Sequence, residues 1–246
     1  MVCHLLLIET DARGLVLVDT GIGLADCADP IRRLGRSFTW MTGVPSPPAS
    51  QTARRQVEAL GFRAEDVRHI VLTHLDLDHA GGLGDFPAAV VHLMADEHDA
   101  ARTRRTFNER HRYRPCQWAH GPNWSTYRAS GERWRGFEQV RGLSSLGDEI
   151  ALVPLSGHTR GHAAVAVEGP SGPLLHCGDA YFHGASVDPA RGALPLGLQI
   201  FERSLALDRS RITENHARLR ALAAGGEVRV FCAHDPEEFE RERARG

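Results

Sequence analysis

At 246 residues, with 42% hydrophobic and 24% charged residues, the chain has the composition of a folded globular protein and not of a disordered or membrane-embedded one. The 31 acidic and 29 basic residues leave a formal net charge of −2, which gives no electrostatic reason to expect nucleic acid or an anionic membrane as partner. Five cysteines (Cys3, Cys27, Cys116, Cys177 and Cys232) lack CxxC spacing and are odd in number, which argues against a disulfide framework or a cysteine zinc site.

The apolar run at residues 5–8 has no basic segment before it and meets Glu9 and Asp11 at once, so it reads as neither signal peptide nor membrane span. A cytoplasmic protein is expected. Residues 4–10 and 15–19 are strands joined by a turn at 11–14, a hairpin. Residues 43–50, rich in Pro, Ser and Gly, read as loop, and 51–60 as a helix stopped by Gly61. Residues 69–73 and 90–95 are strands, the second leading into a charged helix over 96–105. Residues 106–146 carry Arg, His, Gly and three of the tryptophans with no clean period, and are expected to form irregular loops and short helices that shape a pocket. Strands follow at 149–154, 163–168, 174–177 and 228–232. The helix at 209–224 is capped by Asp208 and ended by Gly225. Residues 14–19 and 172–179 echo each other weakly, each an apolar strand that delivers an Asp. One domain over 1–246 is expected.

The chemistry concentrates in residues 73–82, where His74, Asp76, Asp78 and His79 fall within six positions directly after an apolar strand. Strand alternation would set His74, Asp76 and Asp78 on one side and Leu75 and Leu77 on the other, with Gly81 and Gly82 letting the backbone turn closely. Further along, His158, Asp179 and His234 each follow an apolar strand. This order and spacing resembles the metallo-β-lactamase superfamily: HxHxDH, a His in a GHTxGH-like segment, an Asp, and a final His, over nearly the whole chain. The resemblance implies a four-layer αββα sandwich of the α/β class. It further implies that His74, Asp76 and His158 hold one metal ion, that Asp78, His79 and His234 hold another, and that Asp179 bridges them. Asp19, in the segment Val18-Asp19-Thr20-Gly21, would support the ligand loop.

One position departs from the pattern, because the second His of HxHxDH is Asp76. A carboxylate also binds zinc but is a harder ligand, so zinc is expected, with iron or manganese as alternatives. Asp76 could instead hydrogen-bond a neighbouring ligand. Three carboxylates and a bridging hydroxide would balance two divalent ions. The expected activity is attack of metal-bound hydroxide, with Asp78 taking part, on the carbonyl of a small-molecule ester, lactone or thioester, resembling the acyl-homoserine-lactone-hydrolase-like branch. Tyr181 and His183, just past Asp179, are candidates for a proton donor or oxyanion partner. His162 is expected to orient the following strand, Cys177 and Cys232 to be small buried residues, and His69, His92, His98, His176 and His216 are given no role. A phosphodiesterase or nuclease of the same fold, and a non-catalytic metal-binding sensor or effector, remain open.

Overall fold

The computed structural model describes residues 2–42 and 48–245. Of the loop expected at 43–50, residues 43–47 lie outside the described residues. Contacts divide the chain into two compact units, Leu5–Leu93 with His98–Thr126, and Met1–His4 with Met94–Glu97 and Tyr127–Gly246.

The first unit is built on a five-stranded sheet in the order β1 (Leu6–Thr10), β2 (Gly14–Val18), β3 (Val67–Val71), β4 (Val90–Met94) and β5 (Asn123–Tyr127). The expected hairpin is β1–β2, antiparallel, while β2–β3 and β3–β4 are parallel. Parallel pairing explains why β2 reads as an unbroken apolar run: Leu15, Val16, Leu17 and Val18 are all buried, as strands covered on both faces must be. Around the sheet lie α1 (Leu24–Ala28), α2 (Pro30–Arg33), α3 (Arg36–Thr42), α4 (Ala53–Ala59), α5 (Leu77–Ala80), α6 (Ala95–Thr103) and α7 (Phe107–Arg112). Gly61 follows α4 at φ +92°, the left-handed geometry expected of it. The core of this unit joins Leu17, Ile70, Leu72, Leu75, Leu83, Val91 and Leu93.

The second unit carries a six-stranded sheet of β6 (Glu132–Trp134), β7 (Phe137–Gly142), β8 (Ile150–Pro154), β9 (Ala163–Gly169), β10 (Gly172–His176) and β11 (Arg229–Phe231), in the order β11-β10-β9-β8-β7-β6. Only the β10–β11 pair is parallel. Its helices are α8 (Leu196–Leu205), α9 (Arg209–Ala224) and α10 (Pro236–Arg243). Asp208 caps α9 by accepting the N–H groups of Ser210 and Arg211 at 3.0 and 3.2 Å. Gly225 ends α9 as expected but at φ −67°, and the left-handed residue is Gly226 at φ +69°.

The segment 106–146 is more regular than expected. Helix α7 starts with a capping box, Thr106 Oγ accepting the Glu109 N–H and Glu109 returning to the Thr106 N–H. Three strands, β5, β6 and β7, follow. In β7 only Phe137 and Val140 are buried, so its pattern has period three instead of two. Among the described residues no helix is long and apolar enough to cross a membrane.

Candidate metal centre

Strand β3 ends at Val71, and the chain then runs extended to Asp76 before turning into α5. The expected alternation therefore holds for His74, Leu75 and Asp76 but stops there, because Asp76 is the residue that opens α5 and Asp78 and His79 lie on a helical turn. Leu75 and Leu77 are both buried, and the apolar demand of these two side chains fixes the turn. The Gln117 side-chain amide donates to the Leu77 carbonyl at 3.0 Å, holding the start of α5. Gly82 is required by close approach: a Cβ there would stand 2.6 Å from the Thr20 carbonyl oxygen.

Asp19 organises this loop. It takes φ +57°, a left-handed conformation that is strained for a residue other than glycine and that recurs at functional sites. Its carboxylate is fully buried and accepts the Thr73 N–H at 2.8 Å, the Thr73 hydroxyl at 2.8 Å and His79 Nδ1–H at 2.8 Å. Thr73 Oγ in turn accepts from His74 Nδ1 at 2.9 Å. With the proton of each ring committed on Nδ1, the Nε2 lone pairs of His74 and His79 are the ones left to ligate. His74 Nε2 lies 3.4 Å from Asp76 Oδ2, and His79 Nε2 lies 4.0 Å from Asp78 Oδ1. The four residues thus form two imidazole–carboxylate pairs, with the two rings 4.1 Å apart. Asp76 also meets Arg112, whose Nε is 3.4 Å from Oδ1. Arg112, in the sequence an undistinguished member of an Arg-rich stretch, is an ion-pair partner of a candidate ligand.

The candidate ligands of the second unit come from three separate segments. His158 sits in the turn after β8, which is closed by the Leu155 N–H on the His162 carbonyl and held by Glu97, whose buried carboxylate accepts the Gly161 N–H at 3.0 Å. A Cβ on Gly161 would collide with the Glu97 backbone. His162 donates from Nδ1 to the Leu155 carbonyl at 3.1 Å and accepts the Asp179 N–H on Nε2 at 3.0 Å, so it orients Asp179 as well as its own strand. His234 donates from Nδ1 to the Val2 carbonyl at 2.7 Å. Asp179 presents Oδ2 to His158 Nε2 at 3.3 Å and Oδ1 to His234 Nε2 at 3.0 Å, one oxygen to each ring.

Tyr181 and His183 part company. Tyr181 is fully buried in the core of the second unit, and its hydroxyl donates to the Glu238 carboxylate at 3.2 Å. Burial, with Cys177 and Glu238 nearby, pushes its phenol well above the usual range. Core packing and the Glu238 acceptor claim the Tyr181 hydroxyl, the group expected as a candidate proton donor. His183 is half-buried, and its Nδ1 accepts the Ala185 N–H at 3.1 Å, which leaves the neutral ring's proton on Nε2. Cys177 and Cys232 are buried in the same core, and desolvation holds both thiols protonated.

Residues 2–234 match the family model of the metallo-beta-lactamase superfamily. The chain belongs to that superfamily. A Mycobacterium tuberculosis protein named as a probable metallo-hydrolase is 45% identical over 99% of this chain and 77% of its own length. An N-acyl homoserine lactonase of Azorhizobium caulinodans is 28% identical over 94% of this chain and 81% of its own. Among solved structures, a Bacillus thuringiensis lactonase variant with N-decanoyl-L-homoserine bound at its active site aligns with a TM-score of 0.67 at 20% identity, covering 96% of this chain and 82% of that one. That likeness shows the fold, the metallo-β-lactamase fold expected from the ligand motifs, and superfamily membership makes the chain a metallo-hydrolase. The donor set suits divalent metal: imidazoles whose Nδ1–H is tied to an oxygen, together with carboxylates, are ligands of zinc, iron and manganese alike.

Proposed function

We propose that this chain hydrolyses a small-molecule ester, lactone or thioester at a binuclear centre, the whole of 1–246 serving as one catalytic domain in the cytoplasm. In this reading His74, Asp76 and His158 hold one divalent ion, Asp78, His79 and His234 the other, and Asp179 bridges them. The observation that carries it is the Asp179 carboxylate, which offers one oxygen beside each of two buried imidazoles. A carboxylate that bridges two ions, each held by one of those imidazoles, presents its oxygens in this way. Zinc is the first choice of metal, with iron or manganese as alternatives because Asp76 is a harder ligand. Two such ions, when bound, lower the pKa of water and polarise the attacked carbonyl.

The protein's own groups do the rest. Asp19 and Thr73 fix the His74 and His79 rings, His162 fixes the Asp179 backbone, and Asp78 beside His79 accepts a proton from the attacking water. In this reading His183, whose Nδ1 accepts the Ala185 N–H, offers a hydrogen bond from Nε2 to the leaving oxygen. A lactone is the favoured substrate class because relatives at 28% identity are named N-acyl homoserine lactonases, and a solved neighbour of the same fold holds N-hexanoyl-L-homoserine, a lactonase product.

The test combines element-resolved mass spectrometry of protein purified without added metal or chelator with a panel of lactones, esters, thioesters and phosphodiesters. About two ions per chain and turnover confined to carbonyl substrates are expected. Turnover of phosphodiesters alone would replace the carbonyl reading, and a protein that takes up no metal even on reconstitution would remove the hydrolase altogether.

A further inference from the structure

Phe182 lies three residues beyond Asp179 and has been assigned no part so far, yet it touches both imidazole ligands of the second unit. Its ring stacks on His234, centroids 5.2 Å apart and planes 3° from parallel, and meets His158 edge-on at 5.8 Å. Phe182 is itself held at two points by adjacent residues of α8. The Phe201 ring packs against it at 5.4 Å, and the Glu202 carboxylate lies near its backbone N–H.

Glu202 is an unusual occupant of that position. It is buried on a helix whose Leu196 and Ile200 are exposed, and its Oε2 meets no donor among the described residues. Burial pushes its carboxyl up to about 7. A buried carboxyl is unfavourable unless it is paired or hydrogen-bonded. Its neighbour His216, on α9, lies 3.5 Å from Oε1 and donates from Nε2 to the Ala180 carbonyl at 3.0 Å. Two helices therefore bear on the backbone of residues 180–182, α9 through the His216 hydrogen bond to the Ala180 carbonyl and α8 through the Glu202 carboxylate near the Phe182 N–H, directly after the carboxylate that faces both imidazoles.

We propose that Phe182, clamped by Glu202 and His216, is a positioning residue that sets the planes of the His158 and His234 rings and, through the 180–182 backbone, the direction of Asp179. The inference rests on the metallo-hydrolase reading above. Imidazole ligation is directional, so a ring free to tilt loses affinity without losing the ligand atom. A flat aromatic ring in contact with both imidazoles restrains that tilt.

Zinc and cobalt(II) titrations of the chelator-stripped full chain test this, read by affinity and by the visible absorption bands of the cobalt protein. Phe182→Leu should weaken zinc binding about 10- to 100-fold and change the cobalt bands. Glu202→Ala should weaken it about threefold to tenfold, whereas Glu202→Gln, which keeps the side-chain volume and an oxygen near the Phe182 N–H, should restore parent affinity and bands. If Phe182→Leu does not fold, the Glu202→Ala and Glu202→Gln pair decides the matter. Parent-like affinity and bands in folded Phe182→Leu, or in Glu202→Ala, would overturn the positioning role while leaving the metal reading intact. A parent chain that binds neither metal overturns both.

Discussion

The two units supply ligands in opposite ways. In the first, four candidate ligands lie within six residues and share one prop, since Asp19 reaches Thr73 and His79 directly and His74 through Thr73. In the second, three candidate ligands come from positions 158, 179 and 234, and each has its own support: the Glu97-held turn, the His162 ring and the Val2 carbonyl. A continuous loop is economical but depends on one carboxylate, while a dispersed set shares only Asp179, which faces the other two, and the restraint proposed for Phe182.

That contrast predicts where damage spreads. Asp179→Ala should be the most severe change, lowering bound metal towards or below one ion per chain and turnover by at least about 100-fold, since it exceeds the loss of any supporting partner. Retention of two tightly bound ions would contradict the bridging role. Asp19→Ala comes next, with metal affinity falling at the upper end of the 10- to 100-fold range, about 100-fold, because two rings lose their anchor together. An effect of threefold or less by titration would show that the loop holds itself.

Acid should expose a second point of comparison, because each unit buries a neutral imidazole. His92, in the first unit, lies 3.1 Å from His69 and is pushed down to about 4 by desolvation and then by His69. His4, in the second, is pushed down to about 3 by desolvation and then by His176. Below pH 6.5 the unfolded chain takes up protons that these folded rings refuse, so stability is full above about pH 6.5 and falls as pH drops towards 4. For His92 alone the loss is about 2 kcal/mol by pH 5. Urea midpoints across pH 4 to 7 should show a shallower slope for His92→Leu than for the parent, and equal slopes would mean that the imidazole protonates without leaving its site. The smallest effect is expected at Glu97→Ala, which strands the buried Gly161 N–H at a cost of about 1 kcal/mol and lowers metal affinity by less than about tenfold, since that N–H lies in the His158 turn and not on a candidate ligand. A loss as large as that of Asp19→Ala would erase the contrast between the two units.

Much of this was legible beforehand where the signal was local. The apolar runs of β2, β3, β8 and β9 and the Asp208-capped α9 appear within a residue or two of their expected bounds, because strand and helix periodicity and capping act within a few residues. Helix α10 was missed although Asp235, Pro236 and two glutamates mark its start, since its charged body has no apolar face to count. Helix α8 was missed because its apolar residues are divided between solvent and core, Leu196 and Ile200 outside and Phe201 partly buried. Strands β5 to β7 were hidden by a segment in which few side chains are buried.

The sequence by itself determined which residues could ligate, their order along the chain and the strands that deliver them, because residue chemistry and short-range periodicity are properties of the chain alone. Tertiary structure decided what each group faces. It turned the Tyr181 hydroxyl onto Glu238, gave each Asp179 oxygen its own imidazole, and set Asp19 beneath Thr73, 54 residues on, and Glu97 beneath Gly161, 64 residues on. Contacts across such separations depend on how sheets and turns pack, and no spacing rule encodes them.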